Sequence, residues 1–367
     1  MSASLLIAGG GTGGHLFPGL AVASALRQLR PDLRLAFVSA GRALESRELA
    51  RAGLPLERLR VRALRGAGWL GRLRALAAVL PAVWQARGLV RRYRPGLVLA
   101  VGGYACFPLG LAAFLGRVPL AVQEQNAVPG LSNRLLSHLA RVVFISFPAA
   151  ERSFPRGKAR LTGNPVRPEL LERLAQCAPE RTPAQECFTV LVLGGSQGAH
   201  SLNQALMQAL PELARRRERL RFFHQTGPAD QAQVEAAYRR AGFQARVEAF
   251  FSDMGRLYAL AHLVICRAGA GTLTEVLAAG RAAVCVPYPF AAGDHQTANA
   301  QALVEAGAAR LVPDRELDGP RVAALIAEFM DNPEHRRGLE KAAAALARPR
   351  AARDIAQACL QLMKEAA

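Results

Sequence analysis

Three turns between an apolar run and a helix-like stretch carry residues suited to binding phosphates and hydroxyl groups. The first reads Gly9-Gly10-Gly11-Thr12-Gly13-Gly14 and follows Leu5–Ala8. The second reads Gly194-Gly195-Ser196-Gln197-Gly198-Ala199 and follows Val190–Leu193. Glycines at such turns let backbone N–H groups close around a phosphate, and the helix start adds partial positive charge. His15 stands one residue past the first turn. A helix N-terminus disfavours imidazolium, so the sequence predicts a neutral imidazole able to accept a proton from a hydroxyl. A purely capping or structural histidine is the competing expectation.

The third turn, Arg267-Ala268-Gly269-Ala270-Gly271-Thr272-Leu273-Thr274-Glu275, follows Leu263–Cys266. Here Glu275 has two readings. Its carboxylate can accept hydrogen bonds from both hydroxyls of a ribose. Alternatively, Thr272 and Glu275 have the spacing of a capping box and merely close a helix start. A later loop ends in Asp294-His295-Gln296-Thr297-Ala298-Asn299. Asp294, Gln296 and Asn299 suit recognition of sugar hydroxyls, on the side of an open α/β sheet where ligands bind. Gly9, Gly11 and Gly14 also fit the spacing G-x-G-x-x-G of NAD-binding proteins. The acid expected about 20 residues on to hold the ribose is missing, because Phe37-Val38-Ser39-Ala40-Gly41 stands there. No G-x-x-x-x-G-K motif occurs, which excludes a P-loop.

The elements that must position these turns alternate between buried strands and amphipathic helices. Strands are expected at Leu5–Ala8, Leu33–Val38, Leu97–Val101, Leu120–Val122 and Val142–Ile145. A second series runs Val190–Leu193, Leu220–Phe223, Val247–Phe250, Leu263–Cys266 and Ala283–Val286. Apolar runs separated by helices predict parallel sheets covered on both faces. The two series begin alike, so the chain reads as two Rossmann-like α/β domains. Gly163-Asn164-Pro165-Val166-Arg167-Pro168 is taken as the linker. The 367 residues, half of them apolar, suffice for two cores. Six scattered cysteines form no C-x-x-C pair, which predicts buried thiols and no metal cluster. No apolar run is long enough to span a bilayer, and the N-terminus lacks signal-peptide features, so a cytoplasmic location is expected. The net charge of +19 is almost all arginine, with lysine only at Lys158, Lys341 and Lys364. It favours an anionic partner without choosing among nucleic acid, lipid and phosphorylated substrate.

In order and in register, these motifs resemble the MurG family of bacterial transferases, which add N-acetylglucosamine to undecaprenyl-pyrophosphoryl-muramyl-pentapeptide. The resemblance runs from Gly9–Pro18 through Gly102-Gly103-Tyr104, Glu124-Gln125-Asn126 and Thr162–Arg167 to Gly194–Ala199, Arg267–Glu275 and Asp294–Asn299. It departs at Gln123, where the family has histidine.

The resemblance implies the GT-B fold, two Rossmann-like domains facing across a cleft. It divides the chain into an acceptor and membrane-binding domain (1–163), a UDP-N-acetylglucosamine domain (164–345) and a final helix (346–367) packing back on the first. It implies UDP-N-acetylglucosamine contacts at Thr12, Gly13, Gly14, Asn126, Arg167, Ser196, Gln197, Phe251, Glu275, Gln296 and Asn299. Ser196 and Gln197 would lie at the diphosphate, the backbone at Phe251 would read the uracil, and Glu275 would take the ribose. The lipid-linked acceptor would place its pyrophosphate on the Gly11–Gly14 loop, with Tyr104, Asn126 and Glu124 beside it. Transfer to the acceptor 4-hydroxyl with inversion needs a base, for which His15 is the candidate, and no cofactor or metal. The implied setting is the cytoplasmic face of the cell membrane, among cell-wall synthesis and division proteins.

Because the acceptor carries a lipid tail, residues 69–92 are the candidate contact with an anionic membrane. Trp69, Leu70, Leu73, Leu76, Leu80, Val83 and Trp84 recur at helical spacing among arginines. A helix packed on the sheet is the competing expectation. Another nucleotide-sugar enzyme, such as a UDP-N-acetylglucosamine 2-epimerase or a glycolipid synthase, would lack the N-terminal motifs. No nucleic-acid partner is expected, because the charge comes with no nucleic-acid-binding motif or basic tail.

Overall fold

A computed structural model describes residues 3–11, 13–61, 69–177, 187–195 and 197–365, and of 69–78 the backbone only. Thr12 and Ser196 lie outside the described residues, as do the side chains of Trp69, Leu70, Leu73 and Leu76.

The chain forms two compact units, Met1–Arg167 with Arg348–Ala367, and Pro168–Ala347. The first holds a sheet of seven parallel strands: β1 (Ser4–Ala8), β2 (Arg34–Ser39), β3 (Leu56–Arg58), β4 (Leu97–Ala100), β5 (Leu120–Glu124), β6 (Val142–Ile145) and β7 (Ala159–Leu161). Their spatial order is β3-β2-β1-β4-β5-β6-β7. The side chains of β1 alternate between two cores. Leu5 and Ile7 face α1 (Gly13–Leu29) and the final helix α14 (Ala351–Glu365), meeting Leu26, Ile355 and Cys359. Leu6 and Ala8 face α3 (Trp69–Tyr93), α4 (Cys106–Leu115) and α5 (Leu131–Ser137), meeting Val90, Leu109 and Leu136. Burial on both faces explains why the strands read as unbroken apolar runs.

The second unit holds six parallel strands: β8 (Phe188–Leu193), β9 (Leu220–Gln225), β10 (Gln244–Glu248), β11 (Leu263–Cys266), β12 (Ala282–Cys285) and β13 (Arg310–Leu311), in the order β10-β9-β8-β11-β12-β13. Strand β10 begins earlier in the chain than the apolar run at Val247–Phe250 suggests. As an edge strand it is held by backbone pairing to β9, with polar side chains in solvent. The short edge strands β3, β7 and β13 carry too few apolar residues to have a sequence signal.

In each sheet the first strand lies inside, and the chain builds two strands on one side of it before crossing to the other. At such a switch point the adjoining loops part and leave room for a ligand. In the first unit these are the loops after β1 and β4, and in the second those after β8 and β11. All three expected glycine turns lie at these two points.

Candidate active site

In the first unit, β1 runs into the loop Gly9–Gly11, and α1 begins at Gly13. Gly14 is exposed, while Gly13 and His15 are half-buried in the first turn. First-turn amides have no partner within their helix, which suits them to an anion. Pro18 in this helix lacks the N–H that would bond Gly14 C=O.

The Gly-Gly pair after β4 is explained by this loop. A Cβ on Gly102 would stand 2.5 Å from His15 Cδ2, and one on Gly103 would overlap the Gly10 carbonyl oxygen. Both glycines have positive φ, +105° and +94°. They therefore let the β4 loop close against the histidine. Tyr104, next along, is exposed.

The first loop is also held from α2 (Ala43–Arg51), by a residue that motif reading misses. Glu45 is 2% exposed. Its Oε1 accepts from Gly11 N–H (2.6 Å), and its Oε2 accepts from Ser39 Oγ (2.7 Å) and the N–H groups of Gly41 and Arg42 (2.8 Å each). Burial raises its pKa, but these hydrogen bonds outweigh burial and hold it below the ordinary carboxylate value. Arg42 Nη1 donates to Gly11 C=O (2.7 Å), so both polar groups of Gly11 are taken by one turn.

Glu124 ends β5 and is almost wholly buried. Its Oε1 accepts from Asn126 N–H (2.9 Å) and Nδ2 (3.1 Å), and its Oε2 from Gly130 N–H (3.1 Å) and Asn133 Nδ2 (2.9 Å). Burial raises its pKa against the opposing effect of these bonds. At 1% exposure it braces the turn that carries half-buried Asn126. Gln123, at the departure from the family pattern, is buried and donates to Asn164 Oδ1 (3.2 Å). Arg167 falls in the first unit, its guanidinium 4.7 Å over the Phe17 ring of α1.

In the second unit, the loop after β8 leads to α7 (His200–Ala209). Gly195 and Gly198 have φ of +86° and +81°, and Gln197 is exposed. A Cβ on Gly227 would stand 2.5 Å from the Gln197 carbonyl oxygen, so the loops after β8 and β9 pack backbone to backbone. Gln225 joins two parts of the expected donor site. Its Nε2 donates to Gly195 C=O (3.1 Å), and its Oε1 accepts from Phe251 N–H (3.0 Å). The Phe251 N–H is thus engaged within the unit, and its ring is buried.

Helix α10 (Ala270–Ala279) takes Gly269 as its N-cap, with no side-chain cap. Thr272 is therefore inside the helix, and the capping box with Glu275 does not form. Glu275 is half-buried and accepts from Tyr258 Oη (3.1 Å). Arg267 ties the neighbouring turns together: it donates to Val286 C=O and Pro287 C=O (3.2 Å each), pairs with Asp314, and donates to Ser201 Oγ (2.8 Å). Gln296, half-buried at the start of α11 (His295–Glu305), accepts from Tyr288 N–H (2.9 Å), which leaves its amide nitrogen for another group. Asn299 is fully buried, and its Nδ2 donates to Ala268 C=O (3.2 Å). This bond ties α11 to the turn after β11.

Two family models match the chain: the glycosyltransferase family 28 N-terminal domain at residues 5–145 and the family 28 C-terminal domain at 189–358. A UDP-N-acetylglucosamine–N-acetylmuramyl-(pentapeptide) pyrophosphoryl-undecaprenol N-acetylglucosamine transferase of Myxococcus xanthus is 44% identical over 359 residues, 98% of this chain and 93% of that one. The protein of the same description from Trichlorobacter lovleyi is 42% identical over 97% of each chain. Among solved structures, Acinetobacter baumannii MurG aligns with a TM-score of 0.79 at 32% identity, covering 98% of this chain and all of that one. The UDP-GlcNAc 2-epimerase of Neisseria meningitidis aligns at 0.67 and 15% identity, covering 98% of this chain and 100% of that one, which shows a shared fold alone. The two all-parallel domains and the likeness to MurG make this the GT-B fold. With more than two-fifths of its residues shared across nearly its full length, the chain belongs to the MurG family of UDP-N-acetylglucosamine-dependent glycosyltransferases.

Proposed function

We propose that the enzyme transfers N-acetylglucosamine from UDP-N-acetylglucosamine to the 4-hydroxyl of undecaprenyl-pyrophosphoryl-N-acetylmuramyl-pentapeptide, with inversion at the sugar carbon. The identity of 44% over 98% of the chain to a transferase of that description carries the reading. In it the second unit holds the donor. Amides at the Gly194–Ala199 turn and the start of α7 take the diphosphate and stabilise charge on the departing UDP. Glu275 receives the ribose hydroxyls, and Gln296 faces the sugar. The first unit holds the acceptor pyrophosphate at the start of α1. His15, lying against Gly102 beside those amides, takes the proton of the attacking hydroxyl.

The same proposal places the enzyme on the cytoplasmic face of the membrane, among cell-wall synthesis and division proteins. No helix among the described residues is long and apolar enough to cross a bilayer. On α3, Val83 is buried, but Leu80 and Trp84 are 63% and 74% exposed. Arg87 and Arg91 continue that helical face, so it offers apolar anchors followed by cations. Phe114 and Leu115, at the end of the adjoining α4, are also exposed.

The test is incubation with radiolabelled UDP-N-acetylglucosamine and the lipid-linked muramyl pentapeptide. Label in the lipid fraction is the expected result. A folded enzyme that leaves the lipid unlabelled refutes the assignment, and acceptor-independent epimerisation of the donor would replace it.

A further inference from the structure

Four features of the first unit meet at Gly11. Its N–H is already given to a carboxylate, Glu45 Oε1 at 2.6 Å. Its C=O is held by Arg42 Nη1 at 2.7 Å. Gly10 has φ +117°, and a Cβ there would stand 2.5 Å from Glu45 Oε1, so the loop has closed directly onto the acid. Finally, the acid is buried, yet its second oxygen takes three more hydrogen bonds from the end of β2 and the turn after it.

We propose that Glu45, with Arg42, is a positioning residue for the acceptor: an internal anion that occupies the Gly11 amide and fixes where a phosphate can sit on the loop. The inference rests on the reading of the first unit as the acceptor side. With Gly11 taken, an incoming phosphate has the amides at the start of α1, beside His15. A second anion at Gly11 would meet the Glu45 carboxylate and be repelled. The carboxylate thus removes one register and leaves the one nearest the imidazole. It also holds rigid a loop whose glycines would otherwise be free to reorient.

The two oxygens have different partners, and this permits a selective test. In Glu45→Gln the amide oxygen belongs on the side of three donors, Ser39 Oγ, Gly41 N–H and Arg42 N–H. The amide NH2 then faces Gly11 N–H, donor against donor, and the loop is released while the turn before α2 keeps its acceptor. Ser39→Ala removes a bond only from the other oxygen and serves as the control for lost stability.

The measurement is steady-state transfer with each substrate varied in turn. Glu45→Gln is expected to lower kcat/KM for the lipid acceptor about 10- to 100-fold, the range for one lost charge-assisted contact. KM for UDP-N-acetylglucosamine should stay within about twofold. Ser39→Ala should leave acceptor kinetics within about twofold whatever its melting temperature. Equal losses toward both substrates, an unchanged acceptor constant in Glu45→Gln, or an equal acceptor loss in Ser39→Ala overturns the proposal. Amide hydrogen exchange across 11–15 separates this outcome from failure of the function itself. Exchange should quicken in Glu45→Gln but not in Ser39→Ala, even if the wild-type enzyme proves inactive on the lipid, and equal exchange in the two variants refutes the clamp.

Discussion

At the scale of single residues, the site divides into groups that can touch a ligand and groups that hold those groups still. His15, Gln197, Glu275 and Gln296 keep accessible surface, whereas Glu45, Glu124, Gln225 and Asn299 are buried against backbone. Replacing a base that takes a proton during transfer costs about 10²- to 10⁴-fold in rate. His15→Gln should therefore lower kcat by that order with donor KM little changed, as measured by initial rates at saturating substrate. An unchanged kcat would return His15 to a structural role. Because the helix bearing Glu275 is capped elsewhere, Glu275→Ala should act on binding. UDP affinity by calorimetry should fall about tenfold or more, as for a lost pair of charge-assisted hydrogen bonds. A fall in melting temperature with unaltered affinity would leave the carboxylate a structural role, as in its bond to Tyr258.

At the scale of elements, the glycine loops after β1 and β8 each meet a neighbouring strand end that approaches without side chains. Gly102 and Gly103 meet the first loop, and Gly227 meets the second. Beneath the second loop, His224 of β9 contacts Asn203 Oδ1 (2.9 Å) and Tyr238 Oη (3.2 Å), linking the sheet to α7 and to α8 (Gln231–Ala241). Burial holds His224 neutral, its pKa lowered to about 3, with the Asp230 charge opposing. In the unfolded chain the imidazole titrates near 6.5. Between these values the unfolded state binds a proton that the folded state refuses. The contribution is therefore complete above about pH 6.5 and is lost progressively as pH falls toward 3. At pH 5 the loss is about 2 kcal/mol relative to neutral pH. Denaturant unfolding of the wild type and of His224→Gln at pH 7 and pH 5 should show a shallower acid decline in the variant. Parallel declines would assign the pH dependence to other groups.

At the scale of the whole molecule, one cluster of the positive charge has a local explanation. A cavity of about 790 Å³ at the amino edge of the first sheet is lined by Arg30, Arg34, Arg91, Arg92, Arg94 and Lys364. Helices α1, α3 and α14 all end there, with basic residues in their last turns. Cations at helix C-termini offset the negative end of the macrodipole. These arginines therefore do not by themselves argue for a nucleic-acid partner. The membrane-facing proposal rests instead on one face of α3. Leu80→Glu with Trp84→Glu removes two exposed anchors and adds two negative charges. Sedimentation with anionic phospholipid vesicles should show binding weakened at least about tenfold, and transfer to a short-chain soluble acceptor should be retained. Unchanged vesicle binding would move the membrane contact elsewhere.

The central strands, the glycine turns and the family were legible in the sequence because their causes are local. A strand buried on both faces must be a short apolar run, and a backbone that closes on another backbone must be glycine, whatever the rest of the chain does. What holds those turns was settled only by tertiary structure. Glu45 lies 34 residues from the Gly11 amide it accepts from, Gln225 lies 26 residues from Phe251, and Asn299 lies 31 residues from Ala268. A polar residue type states what a side chain can bond, and only the packing of distant segments decides whether its partner is a ligand or the protein's own backbone. For the same reason Glu124 and Asn299, suited to a ligand by type and spacing, are enclosed by the fold and bonded to its own backbone.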